Sequence, residues 1–429
     1  MELEEEVLEP VSPTGHYFTS SVLSVSNLAV LETEIPFDES QTMSLVENNG
    51  KKRWKKVEVK LEDHVNIPIF PPSLCPDAYD KYLDDYMSKL AVERLSPEKP
   101  LWEFHIFKYP TSNAAGNVII KLHHALGDGF SLMSALLSCL QRADDPRLPL
   151  TFPSRQRSQP KSESLVTKVC SSVFNTLSDF WWGISNSTMD EDDLTPIRSG
   201  KGIEFQPIAT INDVLTGMIF LGTRLYMQRI DKSSRKARGT AVVLHNTRMM
   251  GDYTSIQEII KPNSKMPWGN HITFLHVPIP NLFLPEDDHH HEYSNIALEF
   301  VSKAQKIISM KRNSLAIYLT SRFLEILNRF GGHEAAAKYI RSTLQNSSMV
   351  ISNMIGPVEQ MALGNHPIKG LYFLVLGSPE GLDVTIVSYM GKVRIAFKME
   401  KGLIDPQKFK SCMENAFEMI LKASDTKNN

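Results

Sequence analysis

Cysteine is scarce. The 429 residues hold four, Cys75, Cys139, Cys170 and Cys412, scattered and with no CxxC pair. That argues against a disulfide framework and reads as reduced thiols in a cytosol-facing chain. Long hydrophobic runs are missing too: no stretch reaches the ~18 apolar residues of a membrane-spanning helix. The two nearest are both interrupted. Leu165–Ile184 carries Phe174, Phe180, Trp181 and Trp182 but also Lys168, Asp179 and several serines, and Val214–Met227 is broken by Gly222, Thr223 and Arg224. Both read as core or surface-packed helices, or as interfacial helices with Trp and Phe at headgroup level. A net charge of −3 shows no excess of one sign and gives no argument for a nucleic-acid partner. The acidic start, Met1 to Glu6, has no early apolar run, which argues against a signal peptide. No repeat of solenoid period occurs.

What is present is the mix of a folded globular protein, 42% hydrophobic and 22% charged, in a chain long enough for two domains or two related halves. Residues 1–55 hold short strand-like or coil pieces. Alternation predicts a strand at Val57–Val65, and β-branched and aromatic content predicts strands at Leu101–Tyr109 and Asn117–His123. Helical spacing predicts Pro76–Leu95 and Phe130–Arg142, the latter stopped by Asp144-Asp145-Pro146. Residues 146–164, rich in Pro, Ser, Arg, Gln and Lys, and the polar stretch 186–201 are linker-like. The expected division is therefore 1–155, a linker with a Trp-containing helix at 156–201, and 202–429. The second half is expected to open with helix Ile211–Ile230, followed by strands Thr240–Asn246 and His271–Ile279. Helices come next at about 291–312, 314–330 and 333–345. Strands are expected at Ser348–Asn353, Ile368–Val375, Asp383–Tyr389 and Lys392–Phe397, the last two joined by a turn at Met390-Gly391, and Asp405–Ala423 closes the chain as a helix. Strands and helices mixed in both halves indicate α/β sandwiches with mixed sheets.

One segment carries chemistry. An apolar strand, Ile119-Ile120-Lys121-Leu122, runs into His123-His124, then Ala125-Leu126-Gly127-Asp128-Gly129, then a helix. Histidine can take and return a proton near neutral pH. Successive strand residues face opposite ways, so one histidine is expected in a cavity and the other in a structural place. Two ordinary strand-end histidines are the bland alternative, and a metal pair is a poor one for the same reason. The flanking glycines permit φ > 0 and close backbone approach. Asp128 could orient an imidazole or lock the turn through an arginine. The run Asp287-Asp288-His289-His290-His291 reads as a solvated loop, with no partner cluster to make it a metal site.

These residues match the HHxxxDG motif of condensation-type, CoA-dependent acyltransferases. Further stretches follow in order: Pro100-Leu101-Trp102 ("PLW"), Asn212-Asp213 ("ND"), Asn246-Thr247-Arg248 with Trp268-Gly269-Asn270 ("N-x-R…WGN"), and Ser352-Asn353-Met354-Ile355-Gly356-Pro357 ("SNVPGP"). From about residue 10 to 423 the chain resembles the wax ester synthase/diacylglycerol acyltransferase family, and Val358-Glu359-Gln360 with Val387 to Gly391 resembles its plant branch. Met354-Ile355 departs from the Val-Pro of the bacterial motif. The late DFGWG string of hydroxycinnamoyl/benzoyl-type plant acyltransferases is absent, and there is no room for a carrier domain.

The resemblance implies two condensation-type αβ halves around a central channel. Acyl-CoA enters as co-substrate, with no other cofactor and no metal, and a fatty alcohol or diacylglycerol accepts the acyl group. His124 would be the general base, acting without an acyl-enzyme, alongside His123, Asp128 and Gly129. Asn270 is a candidate oxyanion donor. Asn212 and Asp213 would cap a helix or line the channel. Pro100, Leu101 and Trp102 would pack or shape an acyl pocket. Gly356 and Pro357 would shape a channel turn, with Asn353 placed to hydrogen-bond a ligand. Lipid substrates imply peripheral association with the cytosolic face of the endoplasmic reticulum, or with the plasma membrane. An acyltransferase with another acceptor, or a non-catalytic lipid-binding relative, is the alternative.

Overall fold

The computed structural model describes residues 17–18, 20, 22–37, 60–96, 99–151, 180–188, 192–193, 195, 197, 205–212, 216–248, 268–281, 290–312, 314 and 316–425. The motif strand, β4 (Gly116–His123), is hydrogen-bonded on both edges, to β3 (Trp102–Phe107) and to β1 (Ser26–Thr33). All eight residues of β1 are buried, Glu32 and Thr33 included, as a central strand covered on both faces requires. The full order is β2 (Val65–Asn66), β3, β4, β1, β11 (His366–Leu376), β10 (Met361–Leu363) and β5 (Gln141–Arg142). Strands from residues 361–376 thus complete a sheet begun by the first 142 residues.

The second sheet has six strands: β6 (Phe205–Asn212), β13 (Lys392–Glu400), β12 (Leu382–Tyr389), β9 (Met349–Ile355), β7 (Thr240–Asn246) and β8 (Ile272–Pro278). β9 runs parallel to both its neighbours and the other pairs are antiparallel, so the sheet is mixed. Tyr389 and Lys392 are joined by Met390 (φ 52°) and Gly391 (φ 70°), both left-handed, which is the two-residue hairpin turn expected there.

Helix α1 (Pro76–Val92) packs Tyr79, Leu83, Met87 and Leu90 on one face of the first sheet. A second core, on the outer face of the second sheet, joins α4 (Thr216–Ile230), α5 (His290–Arg312) and α7 (Pro406–Asp425). The largest core lies between the sheets and takes in α2 (Gly129–Ser138) and α6 (Ala316–Gln345). The helical segment 180–188, α3, borders α6, with Phe180 and Phe323 6.3 Å apart. Gly332, at φ 71°, breaks α6 between the two helices expected there.

Several boundaries differ from expectation. The helix predicted over Ile211–Ile230 starts at Thr216, because Asn212 ends strand β6, paired with Arg394. Asn212 therefore does not sit at that helix's N-terminus, and Asp213 lies outside the described residues. Helix Phe130–Arg142 ends at Ser138, and Gln141 and Arg142 pair with β10 instead. In Val57–Val65, Leu61–Asp63 is a 3-10 turn and only Val65 joins a strand, while 57–59 are not described. Partners distant in sequence supply these hydrogen bonds, so local pattern does not reveal them.

Candidate active site

The ladder of β4 continues one residue past its last strand position: the His124 N–H donates to the Val25 carbonyl at 2.8 Å. A 3-10 turn, His124–Leu126, follows, and then α2. His123 caps that turn. Its Nδ1 accepts from the Ala125 N–H at 3.1 Å, and its Nε2 lies 3.2 Å from Ser24 Oγ. Both ring nitrogens are engaged, and burial drops its pKa to about 4. His123 is thus held neutral with both ring nitrogens taken up by the turn and Ser24, the structural place that strand alternation leaves to one of the two histidines.

His124 is buried and forms part of the wall of a cavity of about 1170 Å³ between the sheets. Asn270 faces it with both polar atoms. Its Nδ2 donates to the His124 carbonyl at 2.9 Å, which fixes the amide orientation, so its Oδ1 is the atom 2.8 Å from His124 Nδ1. An acceptor there requires a proton on Nδ1, and Nε2 is left with the lone pair. Phe18 packs against the ring, centroids 4.4 Å apart. Burial lowers the His124 pKa most strongly; the charge of Asp128 and the Asn270 bond oppose it. Asn270, expected as an oxyanion donor, has both of its polar atoms engaged by His124 in the free protein.

Asp128 is fully buried and caps α2, its Oδ1 accepting from the Ser131 N–H at 3.0 Å. Its Oδ2 accepts from Arg248 Nη1 at 2.6 Å and from the His271 N–H at 2.8 Å. Arg248 Nη2 also donates to Ser131 Oγ (3.0 Å) and to the Gly269 carbonyl (2.7 Å). Trp268 Nε1 donates to the Leu126 carbonyl at 2.7 Å. Asn246 Oδ1 accepts from the backbone N–H of Arg248 at 2.9 Å. Asn246, Arg248, Trp268, Gly269 and Asn270 are therefore bonded to the histidine turn, to α2 or to the arginine that braces them, while Thr247 bonds the His271 carbonyl.

The two motif glycines serve close approach and not a left-handed turn. Gly127 is extended (φ 160°), and a Cβ there would lie 2.6 Å from Ser131 Cβ. A Cβ on Gly129 would lie 2.8 Å from Met354 Sδ, at the cavity wall.

Residues 7–191 match the wax ester synthase/diacylglycerol acyltransferase catalytic domain, and residues 268–421 match the WS/DGAT C-terminal domain. The chain belongs to the wax ester synthase/diacylglycerol acyltransferase family. It is 28% identical to wax ester synthase/diacylglycerol acyltransferase 11 of Arabidopsis thaliana, over 97% of this chain and 95% of that one. It is 26% identical to number 2 of the same plant, over 98% and 97%. Among solved structures, the wax ester synthase/diacylglycerol acyltransferase from Marinobacter aquaeolei VT8 superposes with a TM-score of 0.55 at 16% identity, covering 97% of this chain and 100% of that one. The starter condensation domain of rhizomide synthetase, solved with C8-CoA and Leu-SNAC, gives 0.51 at 10% identity, covering 97% and 94%. The fold is thus the condensation-type one, and the protein is an acyltransferase.

In this acyltransferase the other motif residues divide by position. Asn353 is exposed on β9 and lines the cavity. Gly356 and Pro357 are buried beyond the lining: the Gly356 N–H donates to the Ser388 carbonyl at 3.0 Å, and the Pro357 carbonyl accepts from Met390. Pro100, Leu101 and Trp102 are not among the residues lining this cavity. The Leu101 carbonyl holds the His123 N–H at 3.0 Å, and Trp102 stacks on His64 with centroids 4.3 Å apart. Thr216 and Gly217, just past the Asn212-Asp213 pair, do line the cavity. Asn27 on β1 lines it as well and was not anticipated; the only local signal is an amide beside the apolar run Leu28–Leu31. Among the described residues no group of three His, Cys, Asp or Glu could hold a metal ion, and of the run at 287–291 only His290 and His291 fall in a described element, the start of α5.

Proposed function

We propose that this acyltransferase moves a long-chain acyl group from CoA to the hydroxyl of a fatty alcohol, and secondarily of diacylglycerol, with His124 Nε2 as general base. The observation that carries this reading is the Nδ1-protonated tautomer that Asn270 imposes on a histidine in the cavity wall. Nε2 accepts the alcohol proton as the oxygen attacks the thioester carbonyl. The tetrahedral intermediate then collapses, the C–S bond breaks, and the same proton passes to the departing CoA thiolate. The proton count closes without a covalent acyl-enzyme, a metal or a redox cofactor. Burial keeps His124 neutral, the form a base requires.

The test is transfer of labelled acyl-CoA by purified protein with a long-chain alcohol and diacylglycerol side by side. Wax ester that is lost in His124→Ala, with the variant still folded, is the expected result. Undiminished turnover in that variant removes His124 as the base. Folded, wild-type protein inert with both acceptors points to a different acceptor or to a lipid-binding role.

Lipid substrates call for a lipid surface, and we place the protein peripherally on the cytosolic face of the endoplasmic reticulum, with the plasma membrane the other candidate. No helix among the described residues is long and apolar enough to cross a bilayer. Two features support surface attachment. Trp181 (69% exposed), Ile326 (54%) and Phe330 (83%) project from the neighbouring helices α3 and α6. Residues 301–331 carry six basic side chains against one acidic, in a chain that is net negative. Apolar anchors beside cations suit anionic headgroups.

A further inference from the structure

Asn27 is 8% exposed, and its side-chain Nδ2 is buried with no hydrogen-bond partner. A buried donor without an acceptor is destabilising, and native structures hold few of them. Strand register shows where this one is directed. Asn27 pairs with Leu122 on β4 and with Val375 on β11. His124 is two residues beyond Leu122, with its N–H bonded to Val25, the residue just before β1, so the pairing register carries on and His124 and Asn27 share one face of the sheet as diagonal neighbours. Such neighbours lie roughly 7–8 Å apart along the sheet. Asn27, His124, Phe373 and Val375 all line the same cavity. A thioester carbonyl attacked by an alcohol whose proton goes to His124 would lie in the part of the cavity that His124 and Asn27 share. Asn270, the expected donor, faces His124 with both polar atoms.

We infer that Asn27 is a catalytic residue, the amide donor that receives the thioester carbonyl oxygen as it becomes the oxyanion. The inference rests on the acyl-CoA reading above. Among the described residues no group accepts from this donor, and the proposed acceptor gains full charge only in the tetrahedral intermediate, so the bond strengthens toward the transition state.

Asn27→Leu and Asn27→Asp test this by thiol release from octanoyl-CoA in the presence of an alcohol, with thermal denaturation measured alongside. Thiol release reports attack on the thioester whatever the acceptor preference. For Asn27→Leu the expected loss is on the order of 10²–10³ in kcat with KM changed little, and the Tm is kept or raised because the unsatisfied donor has gone. Asn27→Asp loses at least as much, since a carboxylate repels the oxyanion. Leucine and aspartate variants with kcat near the parent value overturn the inference. So does a kcat loss accompanied by a drop in Tm, which marks a structural amide. A folded parent that releases no thiol overturns the acyl-CoA reading itself, and the role of Asn27 with it.

Discussion

Asn270 offers one acceptor and one amide group, and both face His124. Removing it in Asn270→Ala should leave KM largely intact and reduce kcat on the order of 10²-fold, because either imidazole tautomer can then form. The pH profile separates this from a packing defect. The Asn270 bond raises the His124 pKa, so the variant's acidic limb of kcat/KM should move to lower pH. The wild-type limb itself should already lie below the ordinary histidine value of 6.5, since burial depresses the pKa. A variant with unchanged kcat and an unmoved limb would show that Asn270 does not position the base. At this scale the sequence was legible only in part. The His-His alternation separated one cavity histidine from one structural one, yet no local pattern tells which amide 146 residues away selects a tautomer.

The strand–turn–helix element from β4 to α2 is held by one buried ion pair. Arg248 and Asp128 are both essentially inaccessible and 2.6 Å apart. Removing one partner strands a buried charge, so Asp128→Ala should lower the unfolding free energy by about 3–5 kcal/mol. Replacing both, as Asp128→Leu with Arg248→Met, should recover much of that loss while activity stays low, because the Ser131 cap and the His271 contact remain missing. Denaturant titrations of the three proteins check this; equal stability of single and double variants would contradict the buried-charge account. The element itself was readable, since β-branched residues end at histidines and a polar turn leads into an apolar helix. The limits of the helices were not, because Asn212, Gln141 and Arg142 form strand hydrogen bonds with residues 182 to 221 positions away.

For the whole molecule, burial makes several histidines sensitive to acid. His105, His123 and His276 are each pushed down to about 4, chiefly by burial. Their folded values lie below the unfolded value of about 6.5, so the unfolded chain takes up protons first. The contribution of these histidines to stability is therefore complete above about pH 6.5 and is lost as pH falls toward 4, whereas Asp84 and Asp383, raised to about 7 chiefly by burial, act in the opposite sense over the same window; the Tm of a His105→Phe variant should accordingly fall less between pH 6.5 and 4 than that of the parent. The exposed apolar residues of α6 give a second prediction. A double Ile326→Glu, Phe330→Glu variant should lose on the order of tenfold in cosedimentation with phosphatidylcholine vesicles containing an anionic phospholipid. Its turnover of dissolved octanoyl-CoA and hexanol should be unchanged. Undiminished vesicle binding would remove this face as the attachment surface.

The sequence by itself determined the family, the mixed α/β character, the order of most helices and strands, and the segment that bears the chemistry. Each of these is written in short-range periodicity or in contiguous motifs. Only the tertiary structure decided what each motif does. It turned Trp268–Asn270 into the clasp on the histidine turn and moved Pro100–Trp102 off the cavity. It closed the first sheet with strands from residues 361–376 and brought Asn27 to the face of His124. The physical reason is common to all four: hydrogen bonds between strands and across the cavity join residues far apart in the chain, and a buried polar atom's partner, or its lack of one, exists only after the chain has folded around it.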